Sequence, residues 1–328
     1  MRRLPVLGIS LCLAAGGALA ADYSGSPQAL ALIEEMVEEH QYDRETLQRV
    51  FDSAERKQPI LDAIARPAER TKTWGEYRKI FLTPARTEAG LAFWQQHAEA
   101  LSRAEREYGV PAQIIVAIIG VETFYGKHKG RFRVVDALST LGFDYEPRQS
   151  FFRKQLKEFL LLSREQRFDP LELTGSYAGA MGFPQFIPSS FRAYAVDFDG
   201  DGQIDIWNNP VDAIGSVANY FRRHGWQQGA PVVTRARVSG SRYADGVSDK
   251  LKPAQTLEQL EALGWEPLQA PAADASVRGI RLQGERGSEF WVGMHNFYVI
   301  TRYNHSTLYA MAAYQLSEEL KDAQAKAL

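Results

Sequence analysis

The hydrophobic positions of this chain recur mostly at helical spacing. Asp43 can cap a helix that carries Leu47, Val50 and Phe51 on one face. Thr83-Pro84 reads as a cap and a first-turn proline before a long amphipathic run ending near Tyr108. Between them Trp74, Tyr77 and Phe81 form an aromatic stripe, for which core packing is the expected use. Gly109 suits the end of that run, and Pro111 suits the first turn of the next helix. From Ile114 to Val121 eight uncharged residues would bury that helix on nearly every face, and it ends at Glu122. Further helices are read over Arg148 to Ser163, Ser189 to Val196 and Val211 to His224, broken by loops bearing Gly and Pro. After Gly229 the texture changes. Val232 to Val238 alternates like a strand, as do Gly279 to Leu282 and Glu289 to Gly293, while Asn296 to Thr301 reads as a fuller apolar strand. Gln269 to Ser276, rich in Ala and Pro, is expected to be an exposed loop, and Ser306 to Lys321 a final helix.

The first twenty residues are a different object. Arg2 and Arg3 form a basic start, Leu4 to Leu13 an apolar centre, and Ala18-Leu19-Ala20 a small-residue cleavage site before Ala21. This predicts a secretory signal peptide over 1–20; its apolar part is too short to span a bilayer. Cys12, the only cysteine, lies inside it, and Leu11 stands where a lipoprotein signal wants a small residue. A soluble periplasmic protein with no membrane anchor is therefore expected. The mature chain would carry no thiol and no disulfide. The remaining composition, 45% hydrophobic and 24% charged over 328 residues, is globular and long enough for two or three domains. Removing Arg2 and Arg3 takes the net charge from −2 to −4, which favours neither nucleic acid nor an electrostatic hold on membranes.

Four segments carry chemistry. A carboxyl held against the apolar surroundings of Glu122 has its charged form disfavoured, and an acid that keeps its proton is what cleavage of a glycosidic bond requires. The alternative is a last-turn Glu that caps a core helix and points to water. The loop Ser176 to Ser190 combines small residues, which admit a close ligand, with the polar Ser176 and Gln185 and the flat faces of Tyr177, Phe183 and Phe186. Alone it is equally a tight structural loop. Asp197-Phe198-Asp199-Gly200-Asp201-Gly202-Gln203-Ile204-Asp205 matches the EF-hand calcium loop at positions 1, 3, 5, 6, 8 and 9. Asn208 stands where the bidentate Glu belongs, and Asp212 on the next helix could supply that ligand. Closely packed carboxylates repel without a cation, so a structural calcium ion is expected. Last, Tyr298 to Ala310 places Tyr303, Asn304 and Tyr309 at the corner before the final helix; His305 there reads as a loop histidine. The chain has no HExxH pair, no GxSxG elbow and no phosphate-binding glycine loop.

These pieces, in this order, resemble the B-type lytic transglycosylases of bacterial cell walls, in a soluble periplasmic form. The motifs that carry the resemblance are Gly120-Val121-Glu122-Thr123 with Tyr125-Gly126, Gly179-Ala180-Met181-Gly182, the calcium loop and Arg302-Tyr303-Asn304. The resemblance implies an α+β fold, mainly α. It has a lysozyme-like helical core (109–228), an N-terminal helical lobe (21–108), a small inserted β domain (229–301) and a C-terminal segment returning to the cleft (302–328). It implies Glu122 as the catalytic acid, Ser176, Gln185, Tyr220, Tyr303, Asn304 and Tyr309 along the glycan cleft, and Asp197, Asp199, Asp201, Gln203 (through its carbonyl) and Asp212 around the ion. The partner implied is the peptidoglycan glycan strand, with no catalytic cofactor. The reaction is non-hydrolytic cleavage between N-acetylmuramic acid and N-acetylglucosamine, in which the C6 hydroxyl of the same sugar closes a 1,6-anhydro ring. Two alternatives stand beside it. A hydrolytic muramidase needs a second carboxylate, for which Asp136 or Asp144 is the candidate; a non-catalytic wall-binding scaffold gains nothing from a desolvated acid.

Overall fold

The computed structural model describes residues 22–65 and 72–327. The expected signal segment, with Cys12 and the Ala20–Ala21 cleavage point, lies outside the described residues. The chain divides between Glu55 and Arg56 into two compact units.

The first unit is a helix pair. Helices α1 (Pro27–His40) and α2 (Arg44–Ser53) start where Ser26 and Asp43 accept hydrogen bonds from the backbone N–H of Ala29 and Thr46. Leu32, Ile33 and Met36 of α1, and Leu47, Val50 and Phe51 of α2, are buried.

In the second unit, α3 (Gln58–Ile64), α4 (Trp74–Phe81), α5 (Pro84–Gln96) and α6 (Ala98–Tyr108) precede the central helix α7 (Ala112–Thr123). Ten of the twelve residues of α7 are buried, so only Gln113 and Glu122 reach towards the surface. Helices α5, α6, α11 (Pro210–Arg223) and α14 (Thr307–Ala327) pack around it. The run from Thr83 to Tyr108 is two helices rather than one. The backbone leaves helical geometry at His97 (φ −116°, ψ 26°), whose ring lies 4.6 Å from that of Phe93. The hydrophobic period continues across the break, so the sequence alone shows no joint. Trp74 and Tyr77 of the aromatic stripe are buried in the core of this unit.

Helices α8 (Val134–Asp144) and α9 (Gln149–Glu165) pack on one another. Two short strands, β1 (Phe132–Arg133) and β2 (Thr174–Gly175), pair antiparallel beside the loop that leads to α10 (Pro188–Tyr194). After α11 come β3 (Val233–Val238), α12 (Leu257–Glu261), β4 (Trp265–Pro267), β5 (Arg278–Gly284) and β6 (Gly287–Gly293). The four strands form an antiparallel sheet in the order β4-β3-β6-β5, with Trp291 opposite Arg235 on one side and Ile280 on the other. The Gln269 to Ser276 segment between β4 and β5 is mostly exposed.

One expected strand is a helix. Asn296 to Thr301 lies in α13 (His295–Tyr303). Asn296, Phe297, Val299, Ile300 and Thr301 are all buried, so the segment is apolar on several faces, and a short run of that kind carries no period that separates helix from strand. The Asn296 amide donates to the carbonyls of Gln227 and Ala230, which fixes the start of the helix.

Candidate active site

Helix α7 carries Glu122 to the edge of the core and stops one residue later. Phe124, Tyr125 and Gly126 follow in three successive left-handed conformations, φ 51°, 59° and 88°. Such backbone costs about 1–3 kcal/mol at each non-glycine residue and persists only where the surroundings over-determine it. Here the N–H groups of Phe124 and Tyr125 close back onto the carbonyls of Gly120 and Ile119 (3.1 and 3.3 Å). The buried Thr123 hydroxyl accepts from Gly126 N–H at 3.0 Å and lies 3.1 Å from the carbonyls of both Ile119 and Phe183. That contact ties the turn after Glu122 to the Ser176–Ser190 loop.

From the opposite side α14 brings Tyr309, whose Oη donates to Glu122 Oε1 at 2.5 Å. Burial, and after it the nearby Glu122 carboxylate, pushes the phenols of Tyr309 and Tyr303 well above their usual range, so both remain donors. Tyr303 Oη donates to the Pro184 carbonyl (2.7 Å), and Tyr220 Oη to the Arg302 carbonyl (2.5 Å). The Tyr309 and Tyr303 rings lie parallel within 9° at 6.5 Å, and Tyr220 stands 4.8 Å from Tyr303. A row of three tyrosines thus runs away from the carboxyl. Asn304 ends α13 in extended backbone and is partly exposed beside this row.

The Ser176 loop is tightly built. Ser176 Oγ accepts from the N–H groups of Ala178 and Ala180, while Gln185 donates to the carbonyls of Gly182 and Lys129 (2.9 and 3.2 Å). Gly182 is left-handed, and a Cβ there would stand 2.3 Å from the Ile206 carbonyl oxygen. The expected flat surface is smaller than the sequence suggests: Phe183 and Phe186 are buried, and only Tyr177 is exposed. The candidate second carboxylates are both in ion pairs. Asp136 is buried and takes Arg133 bidentately at 2.9 Å, and Asp144 faces Arg56 at 3.6 Å. His305 is exposed beside Arg302.

In the acidic loop, carboxylate oxygens of Asp197, Asp199 and Asp212 lie within 4.8 Å of one another. Asp197 gathers the N–H groups of Gly200, Asp201 and Gly202, the last of which does most to hold its carboxyl below the usual range. Asp212 is fully buried. Its two oxygens accept from Phe198 and Asp205 N–H at 2.7 and 2.8 Å, yet burial, with Asp199 adding to it, raises its carboxyl. A buried acid facing two others is the arrangement a divalent ion would relieve. Asp201 Oδ1 accepts from Gln203 N–H, and the Gln203 amide donates to the Gln166 carbonyl. Asn208, at the twelfth position, donates to Asp205 and is no substitute for the missing acid. Two supporting groups have no place in the motifs: the Arg103 guanidinium lies 3.9 Å over the Phe198 ring and bonds its carbonyl, and Asn209 caps α11 while donating to Asp199. Neither spacing nor composition marks them.

The profile of the family described as Transglycosylase SLT domain matches residues 25–318. The chain belongs to that family. It is similar to membrane-bound lytic murein transglycosylase B of Escherichia coli (strain K12), 44% identical over 306 residues that cover 90% of this chain and 83% of the relative. Catenated lytic transglycosylase SltB1 from Pseudomonas aeruginosa superposes with a TM-score of 0.89 at 58% identity, covering 92% of this chain and all of that one. Escherichia coli Slt35, solved in complex with calcium, gives 0.87 at 44% identity over 93% and 96%. The fold is the α+β, mainly helical, lysozyme-like fold of these enzymes. This lytic transglycosylase acts on peptidoglycan, and Glu122 and the three tyrosines beside it all fall within the matched residues.

Proposed function

We propose that Glu122 is the single acid and base of the reaction. The observation that carries this is the hydrogen bond from Tyr309 to Glu122 Oε1 at the end of a buried helix. With Oε1 accepting from the phenol, the proton of the acid form sits on Oε2 and is passed to the glycosidic oxygen as the bond to N-acetylglucosamine breaks. The muramic acid cation, assisted by its own acetamido oxygen, is captured by its C6 hydroxyl. Glu122, now a carboxylate, takes that hydroxyl's proton, and the 1,6-anhydro ring closes without water. One carboxyl serves both steps, whereas ordinary glycosidases use a pair. Ser176, Gln185, Tyr220, Tyr303, Asn304 and Tyr309 line the glycan path in this reading.

The domain division expected from the sequence (21–108, 109–228, 229–301 and 302–328) belongs to the same proposal, as do export to the periplasm by a cleaved signal and the absence of a membrane anchor. Asp197, Asp199 and Asp212, with Asp201 and the Gln203 carbonyl, would hold a structural calcium ion; its charge would neutralise the cluster and join the loop to α11.

The test is product chemistry on purified sacculi. The wild type releases muropeptides with 1,6-anhydro ends that borohydride does not reduce. Glu122→Gln keeps the side chain's size and loses the transferable proton, so turnover should fall at least about a hundredfold to ten-thousandfold, with glycan binding retained. Reducible ends as the main product would make water the acceptor. Near-normal turnover by the Gln variant would remove Glu122 from the chemistry.

A further inference from the structure

The turn after Glu122 holds a bulky aromatic residue in a conformation that favours glycine. Tyr125, at φ 59°, sends its ring back into a slot between two helices. A Cβ placed on Gly120 of α7 would stand 2.5 Å from Tyr125 Oη, and one placed on Gly90 of α5 would stand 2.3 Å from it. The same point on Gly90 would lie 2.5 Å from Leu320 Cδ2 of α14. The ring therefore sits where α5, α7 and α14 meet, and Phe93 closes on it at 5.7 Å between centroids. A glycine inside a helix is unfavourable unless packing requires it, and both glycines here make room for one ring.

The glycines make room for the end of the ring as well as for its hydroxyl, since the same added Cβ atoms on Gly120 and Gly90 would stand 2.6 and 2.7 Å from Tyr125 Cζ. Among the described residues the buried Tyr125 Oη has no hydrogen-bond partner, a condition that penalises rather than stabilises. The ring's shape is what remains. Gly120 precedes Glu122 by two residues, which is about 200° around a helix. The ring thus bears on the back of the turn whose front presents the carboxyl. The neighbouring Phe124 is held as well, with the Arg86 guanidinium 5.0 Å over its ring.

We propose that Tyr125 is a positioning residue: its ring, seated between Gly90 and Gly120, holds the left-handed turn that aims Glu122. This rests on Glu122 being the acid. A carboxyl displaced by about 1 Å loses up to roughly a hundredfold in rate, with little change in how the glycan binds.

The experiment measures kcat and KM on purified glycan strands for four variants, each checked for folding by thermal melting. Tyr125→Phe stays within about twofold of wild type, because no hydrogen bond is lost. Tyr125→Leu and Gly120→Ala each lower kcat about tenfold to a hundredfold with KM within about threefold. Gly120→Ala with Tyr125→Leu is no worse than Tyr125→Leu alone, since the added methyl fills space the ring has left. If Tyr125→Leu does not fold, Gly120→Ala carries the same expectation from the other side of the slot. The proposal fails if the folded variants keep wild-type kcat, if the loss is in KM alone, if the two substitutions add fully, or if Tyr125→Phe is as damaged as Tyr125→Leu. Glu122→Gln, run alongside, separates the failures. An active Gln variant removes the acid itself, whereas an inactive one beside a fully active Tyr125→Leu removes only the brace.

Discussion

The hydrogen bond between Tyr309 Oη and Glu122 Oε1 joins residues 187 positions apart, and the donor is 3% exposed. Its worth can be isolated with one atom. Tyr309→Phe keeps the ring against Tyr303 and deletes the donor alone. Hydrogen bonds to charged groups contribute about 1.5–3 kcal/mol, and each 1.36 kcal/mol is about tenfold in rate. Turnover on glycan strands should fall about tenfold to a hundredfold in a protein that still melts cooperatively. An unchanged kcat would mean that the bond does nothing in the transition state. The two residues were not equally legible. Glu122 stands out in the sequence because a helix with no other charge ends on it. Tyr309 carries no local signal; its role depends on a contact between the seventh helix and the last, and only the family resemblance pointed to it. Phe183 and Phe186 show the converse, since an aromatic in a glycine-rich loop looks available for sugar until burial is known.

Elements were legible where the chain gave a strong local signal. The caps at Asp43 and Thr83, the long unbroken apolar run of α7 and the alternation within β3 and β5 all gave one. The helix α13 did not, being buried on several faces, and the break at His97 left the hydrophobic period intact. The acidic loop was legible as a pattern, but the residue completing it lies beyond the nine-residue motif. Asp212 joins Asp197 and Asp199 from the first turn of α11, so the cluster links a loop to a helix. If calcium binds there, the folded form alone has the assembled site, and stability rises as RT ln(1 + [Ca]/Kd), about 2.7 kcal/mol at a hundredfold excess over Kd. Adding calcium should raise the melting temperature and chelator should lower it. Asp197→Asn with Asp199→Asn should abolish the difference while leaving activity at low temperature. Identical melting curves with calcium and with chelator would show that the cluster holds no ion.

At the scale of the whole molecule the question is where the enzyme meets its wall. Among the described residues no helix is long and apolar enough to cross a membrane. The similar Escherichia coli protein is by name membrane-bound, and the sequence signals that bear on anchoring here lie in the segment before Asp22. Two fates of that segment differ physically. Acylation of Cys12 would leave a mature chain beginning at that cysteine, and stable anchoring takes two lipid signals such as dual acylation. Cleavage after Ala20 removes the cysteine with the signal and leaves an acidic chain, net charge −4 after the two arginines are subtracted from −2, with no attraction for anionic headgroups. Leu11 sits where acylation wants a small residue, and Ala18-Leu19-Ala20 fits the cleavage that would follow. The protein should therefore appear in the soluble periplasmic fraction, and its intact mass should correspond to a chain starting at Ala21. Replacing Cys12 with Ser should change neither fraction nor mass, because cleavage after Ala20 would remove that residue. Recovery in the membrane pellet with lipid on Cys12, released by the Ser variant, would reverse the assignment and place this enzyme with the anchored members of its family.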